Sequence, residues 1–191
     1  GLAVEAGNYN TLLGVSAGDN ITSGDSNIII GQGIDAASAT ADSQLNIGNW
    51  IKGSAGQITM PLQPAFQVRP ASVQSNIAVS TAVTIVLGTE AFDVGSNFAS
   101  NTFTAPVTGK YQLNVELRLD AIDTAAGYYQ LYLVTSNRTY HSIVDPGVLA
   151  SDPAYWALGL SVLADMDASD TAYLSIYQAG GTAQTDINAD T

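Results

Sequence analysis

The chain contains no cysteine, which excludes disulfide frameworks, thiolate zinc sites and cysteine nucleophiles together. Positive charge is scarce: 5 Lys+Arg stand against 17 Asp+Glu, a formal net charge of −12. Such a surface repels phosphate backbones and anionic headgroups, so neither nucleic acid nor a charged membrane surface is an expected partner. No run approaches the ~18 apolar residues of a membrane span, and no basic-then-apolar leader opens the sequence. Membrane insertion is therefore not expected. The opening at Gly1, inside a low-charge segment, reads as part of something longer. Phosphate-binding glycine loops are missing too, and His141 is the only histidine. What is present is core material, with 46% hydrophobic and 12% charged residues. In 191 residues that suffices for one domain or two unequal ones.

The first 53 residues form a region apart, rich in Gly, Asn, Ser, Ala and Asp. Gly7-Asn8-Tyr9-Asn10-Thr11-Leu12-Leu13-Gly14 aligns with Gly24-Asp25-Ser26-Asn27-Ile28-Ile29-Ile30-Gly31 at an offset of 17, and the same offset reaches Ala41-Asp42-Ser43-Gln44-Leu45-Asn46-Ile47-Gly48. Each unit is a turn signal, a short apolar stripe and a glycine. Such a stripe cannot bury itself and needs stacked copies or other chains around it. Three chains wrapped about one axis would let Leu12, Leu13, Ile29, Ile30 and Ile47 meet in a shared core. A disordered linker is the alternative, against which the in-phase apolar clusters argue. Residues 54–63, beginning at Gly53-Ser54-Ala55-Gly56, are expected as a hinge, and 64–191 as a second domain.

That second region reads as strand after strand. From 110 to 121 polar Lys110, Gln112, Asn114, Glu116, Arg118 and Asp120 alternate with Tyr111, Leu113, Val115, Leu117, Leu119 and Ala121. A period of two marks a half-buried strand and excludes a helix. Ile77, Val79, Val83, Ile85 and Leu87 predict one long strand, Trp156 to Met166 another, and Ala172, Leu174 and Ile176 a third. Asp145-Pro146-Gly147 is a turn signal. With no convincing helix, the pattern predicts an all-β sandwich.

Two resemblances follow from these residues. The pattern G-N-x-N-T-x-x-G at 7–14, with its copies up to Gly53, resembles shaft repeats of bacteriophage tail fibres and of trimeric bacterial adhesins. The stretch Phe103-Thr104-Ala105-Pro106-Val107-Thr108-Gly109-Lys110-Tyr111, with Pro64-Ala65-Phe66, Phe92-Asp93 and Asn97-Phe98, resembles the TNF-like jelly roll of complement-one-q type heads. Leu113 and Val115 stand where that family carries aromatics. Together these resemblances imply a short trimeric β-repeat shaft followed by a TNF-like jelly-roll head. They also imply one further C-terminal strand, so the head is expected to lack its last strand, leaving an open edge or one that borrows a partner.

The candidate sites are sparse. His141 beside Ser142 does not make a triad. Tyr140, His141, Tyr155 and Trp156 are the expected ligand contacts, with Tyr140, Tyr155 and Trp156 read as loop residues and a core place the alternative for Trp156. Tyr128, Tyr132, Tyr173 and Tyr177 point away from the apolar strand faces and are expected at a subunit interface, because a ring with a polar tip suits interfaces and sugar faces. Asp165, Asp167 and Asp170 form a candidate calcium turn, though without the mid-loop glycine and distal glutamate of a calcium loop; no other cofactor is expected. The expected function is non-enzymatic: a homotrimeric tail-fibre tip on the virion tail, binding a bacterial surface polysaccharide or other host receptor. A bacterial surface adhesin or structural appendage protein is the alternative. A capsule depolymerase would need paired carboxylates, and Glu90 and Glu116 are not paired by any spacing in the sequence.

Overall fold

A computed structural model describes residues 7–189. The chain divides into two compact units, 1–63 and 64–191. Three three-residue strands, β1 (Thr11–Leu13), β2 (Ile28–Ile30) and β3 (Leu45–Ile47), pair in parallel and exactly in phase with the 17-residue offset. Pairing places Leu12 beside Ile29 and Ile29 beside Asn46, and one strand face of a single chain closes over Ala17, Ile21, Ile29 and Ala36. Ile29 is thus buried without any second chain, whereas Leu13 stays 64% exposed. The five apolar residues expected to meet in one core are split by the pleat: Leu12 and Ile29 point in, while Leu13, Ile30 and Ile47 form a row on the other face.

The ladder is held by side chains repeating at the same phase. The Asn8 backbone N–H donates to Asp25 Oδ1 at 2.6 Å, and Asp25 N–H donates to Asp42 Oδ1 at 2.7 Å. Behind them, Asn27 N–H donates to Asn10 Oδ1 at 2.9 Å and Gln44 N–H to Asn27 Oδ1 at 2.8 Å. Asn27 is fully buried, and its amide nitrogen reaches the Ala41 carbonyl. Tyr9, Ser26 and Ser43 all adopt left-handed backbone, with φ of 58°, 57° and 55°. Gly24 has no room for a side chain, since a Cβ there would lie 2.3 Å from the Ala41 oxygen. Residues 51–59, expected as the end of the repeats and the start of a hinge, form a hairpin of β4 (Ile51–Ser54) and β5 (Gln57–Thr59) that extends the same sheet.

The second unit is all β. Its strands are β6 (Ala65–Arg69), β7 (Ala82–Thr84), β8 (Thr89–Val94), β9 (Phe98–Ala99), β10 (Thr102–Thr104), β11 (Gly109–Asp120), β12 (Tyr129–Thr135), β13 (Thr139–Val144), β14 (Tyr155–Met166), β15 (Thr171–Gln178) and β16 (Asp186–Ile187). One sheet runs β13-β12-β15-β10-β9, with β7 also on β15; a second runs β14-β11-β16, and β6 pairs with β8. The chain passes from β11 to the other sheet for β12 and β13, returns for β14, crosses again for β15 and returns for β16. That alternation between facing sheets is jelly-roll connectivity.

Two apolar clusters fill the space between the sheets. One gathers Leu117, Leu119, Tyr129, Leu131, Leu158 and Ile176; the other gathers Phe98, Phe103, Leu113, Leu133, Ala164 and Met166. The alternation of β11 and β14 is realised in register over twelve pairs, Gly109 with Met166 through Asp120 with Tyr155. Ala121 leaves the apolar row, because the chain turns there with φ of 53°. The long strand expected over 77–87 is broken. Asn76 and Ser80 take left-handed φ of 52° and 55°, so only Ala82–Thr84 forms a strand while Ile77 and Ile85 still reach the core.

Candidate functional site: the tyrosine face of the larger sheet

Inward residues Tyr129, Leu131 and Leu133 of β12 leave Gln130, Tyr132 and Val134 on the outer surface. Register then decides which neighbours they meet. Tyr132 lies opposite His141 on β13 and Ser175 on β15, and Gln130 opposite Ile143 and Tyr177. Val134 lies opposite Thr139 and Tyr173, while Thr84 and Ala82 of β7 extend the face beyond Ser175 and Tyr177. Tyr128 stacks on Tyr177 at 5.9 Å between ring centroids, and the Tyr132 hydroxyl donates to Gln130 Oε1 at 2.9 Å. All four tyrosines singled out in the sequence therefore share one sheet face.

Burial is uneven across this face: Ser175 is only 6% exposed, while Tyr173 beside it is 38% exposed. Partial desolvation raises the Tyr132 hydroxyl pKa above the ordinary tyrosine value, and the nearby Tyr128 and Tyr177 phenols add to the rise. The face is apolar in its rings and polar at its tips. His141 and Ile143, exposed on β13, complete its rim.

The other expected ligand contacts are not brought together. Tyr140 and His141 lie on β13 and not in a loop, and their side chains alternate: His141 faces out while Tyr140 packs on the core cluster around Phe103. Tyr155 and Trp156 begin β14. Trp156 packs against the Leu119 cluster, and Tyr155, 67% exposed, receives the Arg118 guanidinium over its ring at 5.5 Å. Arg118 also pairs with Asp120 at 2.8 Å. This second outer face is hydrophilic, with Gln112 Nε2 donating to Asn114 Oδ1 and Ser161 Oγ, and Ser161 Oγ donating to Asn114 Oδ1.

The acidic turn is a closed structural motif. Asp165 pairs with Lys110 at 2.5 Å. Asp170 accepts from the Asp167 backbone N–H and from Asn137 Nδ2, both at 2.8 Å. Asp165, Asp167 and Asp170 do not converge, and among the described residues no three metal-ligating side chains do. In this turn Asp170 accepts from backbone and Asp165 binds a lysine.

A polar cluster that sequence reading missed closes one end of the sandwich. Buried Asp123 accepts from the backbone N–H groups of Ala125 and Thr182, and its own N–H donates to the Tyr129 hydroxyl oxygen at 2.9 Å. That hydroxyl meets Thr185 Oγ1 at 2.7 Å. Burial raises the Tyr129 pKa, against the pull of these two bonds. Outside the cluster, Asp152 accepts from the Thr124 hydroxyl and N–H and from Gln184, which holds its carboxyl below the usual range. No single local motif signals this cluster, because its members come from three distant segments.

No family model and no curated protein sequence matches the chain. Among solved structures it is similar to the globular domain of zebrafish complement 1qA protein, with 15% identity and a TM-score of 0.48 over 65% of this chain and 92% of that one. It is also similar to murine APRIL, with 12% identity and a TM-score of 0.45 over 65% and 98%. The strand order and crossovers described above are what identify the second unit as a jelly-roll sandwich.

Proposed function

We propose that the chain is a non-enzymatic adhesion protein, the distal receptor-binding part of a bacteriophage tail fibre carried on the virion tail. It assembles as a homotrimer and holds a bacterial surface glycan. The observation that carries this reading is the tyrosine face: Tyr128, Tyr132, Tyr173 and Tyr177 gathered on the outside of a rigid sheet. Rings with polar tips gain from burial against another protein surface without requiring a charged partner. The in-phase repeat ladder upstream supports a stalk-like role for the first unit. Trimerisation would multiply weak single-site contacts into firm attachment.

The first reading of the face is contact between copies. The rings themselves favour a second, a sugar platform, because an apolar ring with a polar tip suits the face of a pyranose. Light scattering combined with binding to host cells separates them. If the face joins copies, Tyr132→Ala with Tyr177→Ala yields monomers. If it holds glycan, the double variant stays trimeric and loses adsorption of labelled protein to cells. A wild-type monomer at micromolar concentration would sink the trimeric reading. Release of reducing ends from host polysaccharide would sink the non-enzymatic one.

A further inference from the structure

The repeat unit carries a cleft where its stacking stops. Two loops cover the inner face of the ladder, one after β1 and one after β2, and they lie on each other. Gly18 N–H donates to the Ile34 carbonyl at 2.8 Å, Asn20 Nδ2 to the Ala36 carbonyl at 2.8 Å, and Ala36 N–H to Asn20 Oδ1 at 3.0 Å. After β3 no such loop follows, because Gly48 and Asn49 take left-handed φ of 58° and 64° and the chain re-enters the sheet as β4. The second loop therefore has no copy stacked on its other flank. There Asp35, Ala36 and Ala37 wall a cleft of about 480 Å³, a size that suits a small ligand.

The floor changes character at the same step. Register sets Leu12, Ile29, Asn46, Lys52 and Thr59 side by side across β1 to β5, so the inner face passes from apolar to polar at β3. Ser54 and Gln57, paired further along the hairpin, lie on the same face. Buried Asn46 holds the walls: its Nδ2 donates to the Asp35 carbonyl and to Asn49 Oδ1, and its Oδ1 accepts from the Asn49 N–H. The groups left over are the Asp35 carboxylate, the Lys52 ammonium, the Gln57 amide and the hydroxyls of Ser54 and Thr59. All of them line the cleft, and among the described residues none of these side chains has a hydrogen-bond or ion-pair partner.

We propose that this cleft binds a short stretch of neutral glycan. Each other class of ligand meets an opposing group. A phosphate or carboxylate drawn to Lys52, the only basic residue in 1–63, would face Asp35, and a metal ion drawn to Asp35 would face Lys52. An apolar ligand would strip water from these groups without replacing its hydrogen bonds. A neutral sugar leaves none of them opposed, because every hydroxyl both donates and accepts. The carboxylate and amide oxygens take its protons, while the ammonium and the amide nitrogen donate to its lone pairs. The site lies in the repeat unit and shares no residue with the tyrosine face, so it does not rest on the reading of that face.

The test is NMR titration of the full chain with the methyl glycosides of glucose, galactose, mannose and N-acetylglucosamine, and separately with inorganic phosphate and with calcium. Saturable shifts are expected with at least one glycoside at the Gln57 side-chain amide and at the backbone amides of Asp35 and Lys52. Lys52→Met removes one charged donor and should weaken that binding about tenfold. Unshifted ladder amides at Asp25 and Asn27 report that the variant is folded; if it is not, Gln57→Ala, at an exposed position, takes its place and should weaken binding in the same direction. No saturable shift with any glycoside overturns the proposal, as does undiminished binding by the folded variant or tighter binding of phosphate or calcium at these amides. Shifts confined to the amides of Tyr132 and Tyr177 overturn it while leaving the reading of the tyrosine face intact. Movement of the cleft amides with protein concentration alone also overturns it, because a second copy then fills the cleft.

Discussion

The two units solve the same problem, covering strands with little charge to spare, by opposite means. The repeat unit has strands of three residues, too short to enclose a large apolar volume, and places a ladder of Asn10, Asn27 and Gln44 behind them. The sandwich has twelve-residue strands whose apolar faces meet in two clusters. In the first unit large apolar residues such as Leu13 and Trp50 are left 64% and 69% exposed. In the second, Tyr155, Phe92 and Tyr173 are 67%, 48% and 38% exposed on three different strands, while the long strands bury their apolar faces between the sheets. Where the apolar stripe is short, phase-locked hydrogen bonds carry the stacking; where it is long, volume does.

The largest expected effect lies in the sandwich. Leu119→Ala, at a fully buried position, should cost about 2–5 kcal/mol by denaturant unfolding, from lost transfer energy and the cavity left behind. Next comes the polar ladder. Asn27→Ala leaves the Gln44 N–H without its acceptor and should cost about 1–3 kcal/mol. Asn27→Leu should be no better, since the lost bonds are to backbone that stays buried; recovery of wild-type stability in Asn27→Leu would erase the contrast between the units.

Tyr129→Phe should cost about 1 kcal/mol and should also change the alkaline limb. Because burial raises the folded-state pKa of Tyr129, its contribution is fully present below the ordinary tyrosine value near 10.0 and is lost as pH rises through the folded value. Melting temperatures from pH 8 to 11 should therefore fall less steeply in the variant. The smallest effect belongs to Asp152, whose lowered pKa makes its contribution present above the ordinary carboxylate value and lost as pH falls. Asp152→Asn should shift the acid midpoint slightly and leave the neutral-pH melting temperature nearly unchanged, because the group is solvent-exposed.

Much of the strand content was legible beforehand. The alternation in 110–121, 156–166 and 172–176 marks inner and outer faces directly, since a pleat turns every second side chain the same way. The 17-residue offset likewise anticipates the pairing of Thr11, Ile28 and Leu45. What misled was treating apolar residues as members of regular strands. Ile77 and Ile85 are core residues, yet left-handed Asn76 and Ser80 interrupt the strand around them. Tyr140 looks like an exposed aromatic next to a turn, yet pairing turns it inward, whereas Trp156 takes the core place that its alternation with Leu158 allowed.

The sequence by itself determined where strands run and which side of each is apolar, because those depend on neighbours one and two residues away. Only the tertiary structure decided which strands lie side by side. That choice put His141 and Ser175 opposite Tyr132, stacked Asn27 on Asn10, and set Ile187 of β16 between Leu119 and Gln74. Pairing of this kind joins residues tens of positions apart through hydrogen bonds that any backbone can make, so side-chain identity alone carries little record of it.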